Sequence, residues 1–136
     1  MKRLYILIFF VLGISFGTNS QVYIGKHKNE IIELMNKHHQ NFKLNKDVIN
    51  RTYNYLKYED NISEQTLLFF LSEDNYCTFV RWMSDYANIN DMISMLDSKY
   101  IKSGKDTWTY SDNGKKYIIK LEEGEWFFTV SFRILT

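Results

Sequence analysis

The histidines and the cysteine are the side chains of this chain best suited to metal binding or nucleophilic catalysis. All three histidines lie within residues 27–39, and Cys77 is the only cysteine. His38 and His39 are adjacent, so on a helix their side chains diverge by about 100° and cannot easily share a metal ion. His27 and His38 return to one helix face but lie about 16 Å apart along the axis. The spacing therefore predicts histidines at the surface or at the boundary of the core, and no metal site.

Cys77 would need a nearby histidine and a lowered pKa to act as a nucleophile. It falls in an apolar, strand-like run, whereas the histidines fall in a helical segment. We therefore interpret Cys77 as a small buried hydrophobic residue. The sequence has no H-E-x-x-H, C-x-x-C or G-x-S-x-G motif and no glycine loop of the phosphate-binding type. We expect no catalytic residue, no cofactor and no metal, and the protein is predicted not to be an enzyme.

Acidic residues cluster where the chain is predicted to turn. The clusters are Glu59-Asp60, Glu73-Asp74 and the run from Glu122 to Glu125. None has the alternating oxygen ligands around a glycine that a calcium loop requires. These carboxylates are therefore predicted to be solvated.

Aromatic residues make up 17% of the chain, which exceeds what one helix–sheet interface obviously needs. Aromatic side chains and arginine are favoured at protein–protein hot spots, and an exposed apolar patch often marks an interaction site. The predicted partner-binding residues on a sheet face are Tyr53, Tyr55, Phe79, Arg81 and Phe127. The alternative is that loops or the N-terminal segment cover this face.

The first twenty residues have the pattern of a secretory signal peptide. Lys2 and Arg3 precede an apolar run of about 13 residues, and small or polar residues follow, with Thr18 and Ser20 at the spacing that a signal peptidase recognises. The run is too short to cross a bilayer core of about 30 Å as a helix. We expect residues 1–20 to be removed and residues 21–136 to form a single domain that is secreted or periplasmic. The signal region has no cysteine for a lipid anchor, so no stable membrane anchor is expected after cleavage.

Charge and composition narrow the class of partner. Removal of residues 1–20 takes away Lys2 and Arg3 but no acidic residue, so the formal net charge changes from +1 to −1. A nearly neutral domain lacks the basic surface that nucleic acid or anionic lipid attracts, so neither is an expected partner. The absence of proline and the many Lys, Asn and Ile residues are typical of an AT-rich, bacterial genome. A protein partner fits best, and the residues indicate no particular oligomeric state.

Two segments have the period of an amphipathic helix. The first covers residues 28–40, and the second begins near Asn88, which with Asp91 resembles a capping pair. The two predicted apolar stripes are Ile31, Leu34, Met35 and His38, and Ile89, Met92, Ile93, Leu96 and Tyr100. Each stripe must be buried against a sheet.

Short aromatic and β-branched runs separated by turn residues predict antiparallel strands. They cover residues 22–24, 51–58, 66–71, 76–83, 107–110, 115–121 and 126–135, and residues 44–50 could hold a helical turn. Asn113-Gly114 predicts a type I′ hairpin turn. In the last strand, alternation assigns Trp126, Phe128, Val130, Phe132 and Ile134 to the core. The counterparts assigned to the core are Tyr76, Thr78, Val80 and Trp82, which leaves Cys77, Phe79, Arg81 and Phe127 on the opposite side.

The resulting prediction is an α+β fold: an antiparallel sheet of about six strands with two helices packed on one face, in the order β-α-βββ-α-βββ. Residues 22–83 and 88–135 align weakly at an offset of fifty. The matched pairs are Tyr58 with Trp108, Leu71 with Leu121, Glu73 with Glu123, Tyr76 with Trp126, and Val80 with Val130. We interpret this as a tandem duplication of a helix and three strands, although two unrelated aromatic meanders with acidic turns could align as well.

The segment Tyr23-Ile24-Gly25, followed by residues 28–32 (KNEII), resembles the entry to the first helix in small bacterial envelope proteins. The fold it resembles is shared by the β-lactamase-inhibitor-protein group and the small outer-membrane assembly lipoproteins. The chain departs from the lipoproteins because it lacks their lipidated cysteine and their Gly-x-Pro. It is closer to uncharacterised small secreted bacterial proteins. The resemblance implies binding of a protein through the sheet face rather than catalysis.

Three functions follow from these observations. The favoured one is an exported, non-enzymatic domain that binds a protein or an envelope component. The alternatives are a small secreted enzyme whose site is assembled from scattered residues, and a carrier that holds an apolar ligand between sheet and helices. A cleft around Cys77 or a histidine would favour the enzyme. A large internal cavity would favour the carrier, and an uncovered aromatic sheet face would favour the binding domain.

Overall fold

The structure, a computed structural model, describes residues 23–46 and 53–135. Two helices and eight strands follow one another in the order α-ββββ-α-ββββ. The helices are α1 (Lys28–His38) and α2 (Ile89–Lys99). The strands are β1 (Lys43–Leu44), β2 (Tyr55–Asp60), β3 (Gln65–Leu71), β4 (Cys77–Asp85), β5 (Ile101–Gly104), β6 (Thr107–Asp112), β7 (Lys115–Glu123) and β8 (Phe127–Ile134).

All eight strands form one antiparallel sheet, in the spatial order β1-β2-β3-β4-β8-β7-β6-β5. Each helix is thus followed by a four-stranded meander, and the two meanders meet at the central pair β4–β8. The predicted α+β fold of about six strands in the order β-α-βββ-α-βββ is therefore wrong. The molecule is mostly β, because strands hold far more residues than the two eleven-residue helices.

Three local differences account for this correction. Tyr23 and Ile24 lie in a turn rather than a strand, because Gly25 adopts a positive φ of 87° and reverses the chain. Lys43 and Leu44 form an edge strand, whereas residues 44–50 were predicted to hold a helical turn. Residues 45 and 46 are not helical, and residues 47–50 lie outside the described residues. The third difference is β5, whose four residues are all exposed and therefore show no apolar alternation.

One face of the sheet packs against both helices. A row of buried residues crosses this face from β2 to β6, and each lies opposite the next on the neighbouring strand. The row is Leu56, Phe69, Val80, Phe132, Ile119 and Trp108. The helices contribute Ile31, Met35, Met92 and Leu96 to the same core. Burial of each such side chain contributes roughly 2 kcal/mol to folding.

Polar contacts fix the position of α2. The Trp108 Nε1–H on β6 donates to Asp97 Oδ1 at 2.9 Å. The Asn88 side chain does not cap the helix as predicted; its Nδ2 donates instead to the Ser63 carbonyl at 3.0 Å and to Ser84 Oγ at 2.9 Å. Asn88 therefore links the start of α2 to the β2–β3 turn and to β4.

A β-bulge in β4 changes which side chains face the core. Phe79 lies opposite Phe70, but Cys77 lies opposite Leu71, so Thr78 is an extra residue. Cys77 therefore points into the core, and Thr78 is exposed, which reverses the prediction for both residues. Tyr76 and Trp126 precede their strands and are exposed rather than buried as predicted. Among the described residues, no helix is both long enough and apolar enough to span a bilayer.

Candidate functional site

The face of the sheet opposite the helices is covered by no described element, and we call it the open face. Strand register places three rows of opposed residues on it. The first row is Tyr55, Phe70, Phe79, Arg133 and Ile118. The second is Lys57, Leu68, Arg81, Ser131 and Lys120, and the third is Glu59, Thr66, Met83, Thr129 and Glu122. Arg81 and Ser131 are opposed at the centre of the sheet.

Aromatic rings form a ladder across β2, β3 and β4 on the open face. The ring centroids of Tyr55 and Phe70 are 5.9 Å apart, and those of Phe70 and Phe79 are 5.5 Å apart. The Arg81 Cζ atom lies 5.9 Å from the Phe70 centroid and 5.6 Å from the Phe79 centroid. These are cation–π distances, so the rings hold the guanidinium at the centre of the face.

Two shallow depressions adjoin on the open face and share Phe79, Arg81 and Met83. The first, of about 710 Å³, lies over β2 to β4 and includes Tyr53 and Tyr55. The second, of about 520 Å³, lies over β4, β8 and β7 and includes Phe127 and Arg133. Together they make a continuous, mixed aromatic and basic surface across the middle of the sheet.

The structure thus brings all five sequence-predicted partner-binding residues to one face. Tyr53, Tyr55, Phe79 and Arg81 line the first depression, and Phe127 joins Phe79 and Arg81 in the second. Phe127 remains 44% exposed, which is unusual for a phenylalanine on a strand. That these residues contact a partner stays a prediction.

Sequence reasoning missed several residues of this surface, among them three of its apolar side chains and one of its arginines. Phe70 and Met83 line the first depression, and Arg133 lines the second. Trp126, which is 77% exposed, borders the open face together with Phe127. Alternation along β8 could have found Arg133, because it shares a side with Phe127. The run TLLFFL gives no such signal for Phe70, since apolar residues there occupy both faces.

The chemistry available to Cys77 is limited by its burial. Burial raises the pKa of its thiol to about 12, and its Sγ–H donates to the Phe79 carbonyl at 3.6 Å. A thiol with this pKa is protonated at neutral pH and is a poor nucleophile. Within residues 23–46 and 53–135, no group of three or more His, Cys, Asp or Glu side chains could hold a metal ion.

The three histidines occupy separate positions at the two ends of α1. His27 is the N-cap of α1, and its Nδ1 accepts from the Asn29 N–H at 3.2 Å. His38 is exposed in the last turn. His39 contacts the Phe42 ring, and burial, aided by the charges of His38 and Lys99, lowers the pKa of His39.

Asp60 corrects the prediction that the turn carboxylates are solvated. It is buried at the β2–β3 turn, where its carboxylate accepts from Asn41 Nδ2 at 2.8 Å, from the Ile62 and Ser63 N–H groups, and from Ser63 Oγ. The hydrogen bonds from Ser63 and Asn41 lower the pKa of Asp60 to about 2. This carboxylate organises a turn beside the sheet and is not part of the open face.

Comparisons with protein-family models, with curated proteins and with solved structures found no match for this chain. The resemblance to the β-lactamase-inhibitor-protein group and to the assembly lipoproteins therefore stays a prediction. The function of the chain has to be inferred from its own surface.

Proposed function

We propose that this chain is an exported, non-enzymatic domain that binds another protein through the open face. The observation that supports this most is the open face itself: a ladder of aromatic rings with an arginine at its centre, which no described element covers. Aromatic and arginine side chains that cluster on an exposed surface are typical of protein-recognition sites.

Two further observations favour a protein over other ligands. The depressions on the open face are shallow, whereas small molecules are usually held in deep pockets that bury most of their surface. The space between helices and sheet, where a carrier would hold an apolar ligand, is occupied by core side chains such as Phe69, Leu96 and Phe132.

Site-specific photo-crosslinking tests this proposal. The photoreactive amino acid p-benzoylphenylalanine is placed at position 79 or 127 on the open face, and the cells that normally produce the chain are irradiated. Matched controls carry it at position 36 or 94, which are exposed positions on the two helices. We expect one adduct of defined mass from positions 79 and 127 and none from positions 36 and 94.

The double substitution Phe79→Ala/Phe127→Ala should reduce the crosslinking yield from a neighbouring position, Tyr55. Circular dichroism of the double variant serves as the control for folding. Equal adducts from the helix positions, or no adduct from the open face, would contradict the proposed function.

Export is a separate part of the proposal and rests on residues 1–20, which lie outside the described residues. Their charged start, short apolar run and small-residue end support removal by a signal peptidase. N-terminal sequencing of the protein recovered outside the cytoplasm should begin at Gln21. Recovery of the full chain from the cytoplasm would contradict export without affecting the open face.

A further inference from the structure

Four cationic side chains line the two depressions of the open face, and they are not equivalent. The Lys57 Nζ lies 3.2 Å from Glu59 Oε1, and the Lys120 Nζ lies 3.0 Å from Glu122 Oε1. Each lysine is thereby neutralised by a carboxylate two residues along its own strand. Among the described residues, neither Arg81 nor Arg133 has a carboxylate within ion-pair distance. The two arginines are therefore the cations of the depressions that have no ion pair among the described residues.

The register brings these two arginines together. Arg81 lies opposite Ser131, and Phe79 lies opposite Arg133, so the arginines are diagonal neighbours on the central strands β4 and β8. Diagonal neighbours on one face have Cα atoms about 7–8 Å apart, within reach of two long side chains that converge on one ligand. Both arginines line the same depression, next to Phe79 and Phe127.

On this geometry we infer that the segment of the partner protein that binds the open face presents an Asp or Glu carboxylate to Arg81 and Arg133. This inference rests on the proposed protein-binding function and specifies its ligand. Two guanidiniums offer forked N–H donors that match a carboxylate. Apolar residues that flank the carboxylate in the partner pack against Phe70, Phe79 and Phe127.

The same charges argue against a polyanion as the occupant. Glu59 and Glu122, each two strands from Arg81 on the open face, pair with the two lysines that could otherwise contact a nucleic-acid backbone. Nucleic-acid binding requires several unpaired cations along a surface, whereas the depressions have two among the described residues. A single carboxylate in an apolar setting fits this balance.

Selection of peptides on the folded protein tests the inference, because it requires no identified partner. A displayed library of random twelve-residue peptides is selected on the wild type and, in parallel, on Arg81→Met/Arg133→Met. The control Lys37→Met/Lys105→Met loses the same charge at exposed positions away from the open face. We expect an Asp or Glu between aromatic or aliphatic residues on the wild type and on the lysine control, and no acidic preference on the arginine variant.

A selected peptide is then synthesised with its acid and with the corresponding amide, Asn or Gln. The amide should weaken binding to the wild type at least tenfold, because charge-assisted hydrogen bonds are lost. It should change binding to Arg81→Met/Arg133→Met less than twofold. Thermal unfolding of each variant confirms that the fold is kept.

The possible failures are distinguishable. Peptides that bind the open face, as shown by loss of binding in Phe79→Ala/Phe127→Ala, but carry no acid would overturn this inference and leave the proposed function standing. Peptides whose binding ignores Phe79 and Phe127 would overturn both. Sedimentation could also show that the wild type is a homodimer and that Arg81→Met/Arg133→Met is a monomer. The open face would then bind a second copy of this chain rather than an acidic segment of another protein, which would overturn the inference.

Discussion

At the scale of single residues, one carboxylate determines the turn between β2 and β3. Asp60 accepts hydrogen bonds from two backbone N–H groups of the turn and from the side chains of Asn41 and Ser63. All of these bonds favour the charged form, which is why the pKa of Asp60 falls to about 2. The turn is therefore sensitive to acid.

We expect stability that depends on Asp60 to be lost at low pH. The pKa of Asp60 in the folded state lies below its ordinary value of 3.8, so its contribution is fully present above about pH 4. It disappears as the pH falls towards 2. The contribution is on the order of 1 kcal/mol, since solvent near the turn screens part of the charge.

Urea unfolding of the wild type and of Asp60→Asn between pH 6 and pH 2 measures this effect. The difference between the two proteins should shrink as the pH falls. Asp74→Asn, at the exposed β3–β4 turn, is the control and should follow the wild type. A constant difference across the range would contradict the assigned role of Asp60.

In the part of the chain that the structure describes, two buried tyrosine hydroxyls lack hydrogen bonds of the kind that the Asp60 carboxylate accepts. Among the described residues, the hydroxyls of Tyr23 and Tyr58 have no hydrogen-bond partner, and burial raises the pKa of each to about 12. A buried, unpaired hydroxyl costs about 1–3 kcal/mol. Tyr58→Phe should therefore leave the free energy of unfolding unchanged or raise it by about 1 kcal/mol.

The matched comparison is Tyr86→Phe. The Tyr86 hydroxyl donates to the Gly124 carbonyl, so its removal should lower the free energy of unfolding by about 1 kcal/mol. Both are measured by urea unfolding at neutral pH. Destabilisation by Tyr58→Phe would show instead that its hydroxyl is hydrogen-bonded.

At the scale of elements, the β6–β7 hairpin shows a turn that its sequence specifies. Asn113 and Gly114 both have positive φ, of 50° and 76°, as the predicted type I′ turn requires. A Cβ at Gly114 would meet no atom within 4 Å. Any cost of a side chain there is therefore conformational rather than steric.

Gly114→Ala should lower the free energy of unfolding by about 1 kcal/mol, because alanine adopts this backbone region with difficulty. Gly104→Ala is the control: that position has no positive φ, and its Cβ would make only ordinary contact with Thr107. Chemical denaturation of both variants measures the difference. Equal effects at the two positions would contradict the conformational explanation.

The sequence predicted the elements whose burial follows a period. Both helices were predicted from apolar stripes, because Ile31, Met35, Met92 and Leu96 must face the core. The edge strands β1 and β5 were missed, because one has two residues and the other is exposed throughout. Cys77 was assigned to the wrong side, because a bulge breaks the alternation and leaves no mark in the residue types.

At the scale of the whole molecule, the two meanders share one core. The central strands β4 and β8 pair over seven residues, and the buried pair Val80–Phe132 lies between the halves. The hydrophobic cluster includes residues of both helices and both meanders. Neither half can lose its structure without exposing the core of the other. The tandem duplication stays a prediction, although the opposed residues Arg81 and Ser131 are separated by its offset of fifty.

We therefore expect one cooperative unfolding transition. Trp108→Phe/Trp126→Phe leaves Trp82 as the fluorescent reporter of the first meander, and Trp82→Phe/Trp126→Phe leaves Trp108 as the reporter of the second. In each variant, fluorescence and far-ultraviolet circular dichroism should give the same denaturant midpoint. Midpoints that differ between the two methods would show that the halves unfold separately.

The candidate site could be predicted only in part. The sequence indicates the side of a strand on which a residue lies, but it does not indicate which strands pair. Phe79, Arg81 and Phe127 were placed on one side by alternation, and Tyr55 was named only as one of the surplus aromatic residues. Their assembly into adjoining depressions depends on the β4–β8 pairing, which joins residues that are far apart in the sequence. The ion pairs of Lys57 and Lys120 likewise depend on side-chain positions. The structure was therefore needed to show that the two arginines, unlike these lysines, have no ion pair among the described residues.

The edges of the sheet have a consequence for how the protein behaves at high concentration. An unpaired strand edge is a template on which other molecules can add strands and grow into fibrils. Here one edge has two residues, and the other, β5, is interrupted by a bulge and carries Lys102, which turns inward over the Trp108 ring at 5.8 Å. Both borders of the sheet therefore discourage polymerisation, so concentrated solutions should stay free of amyloid.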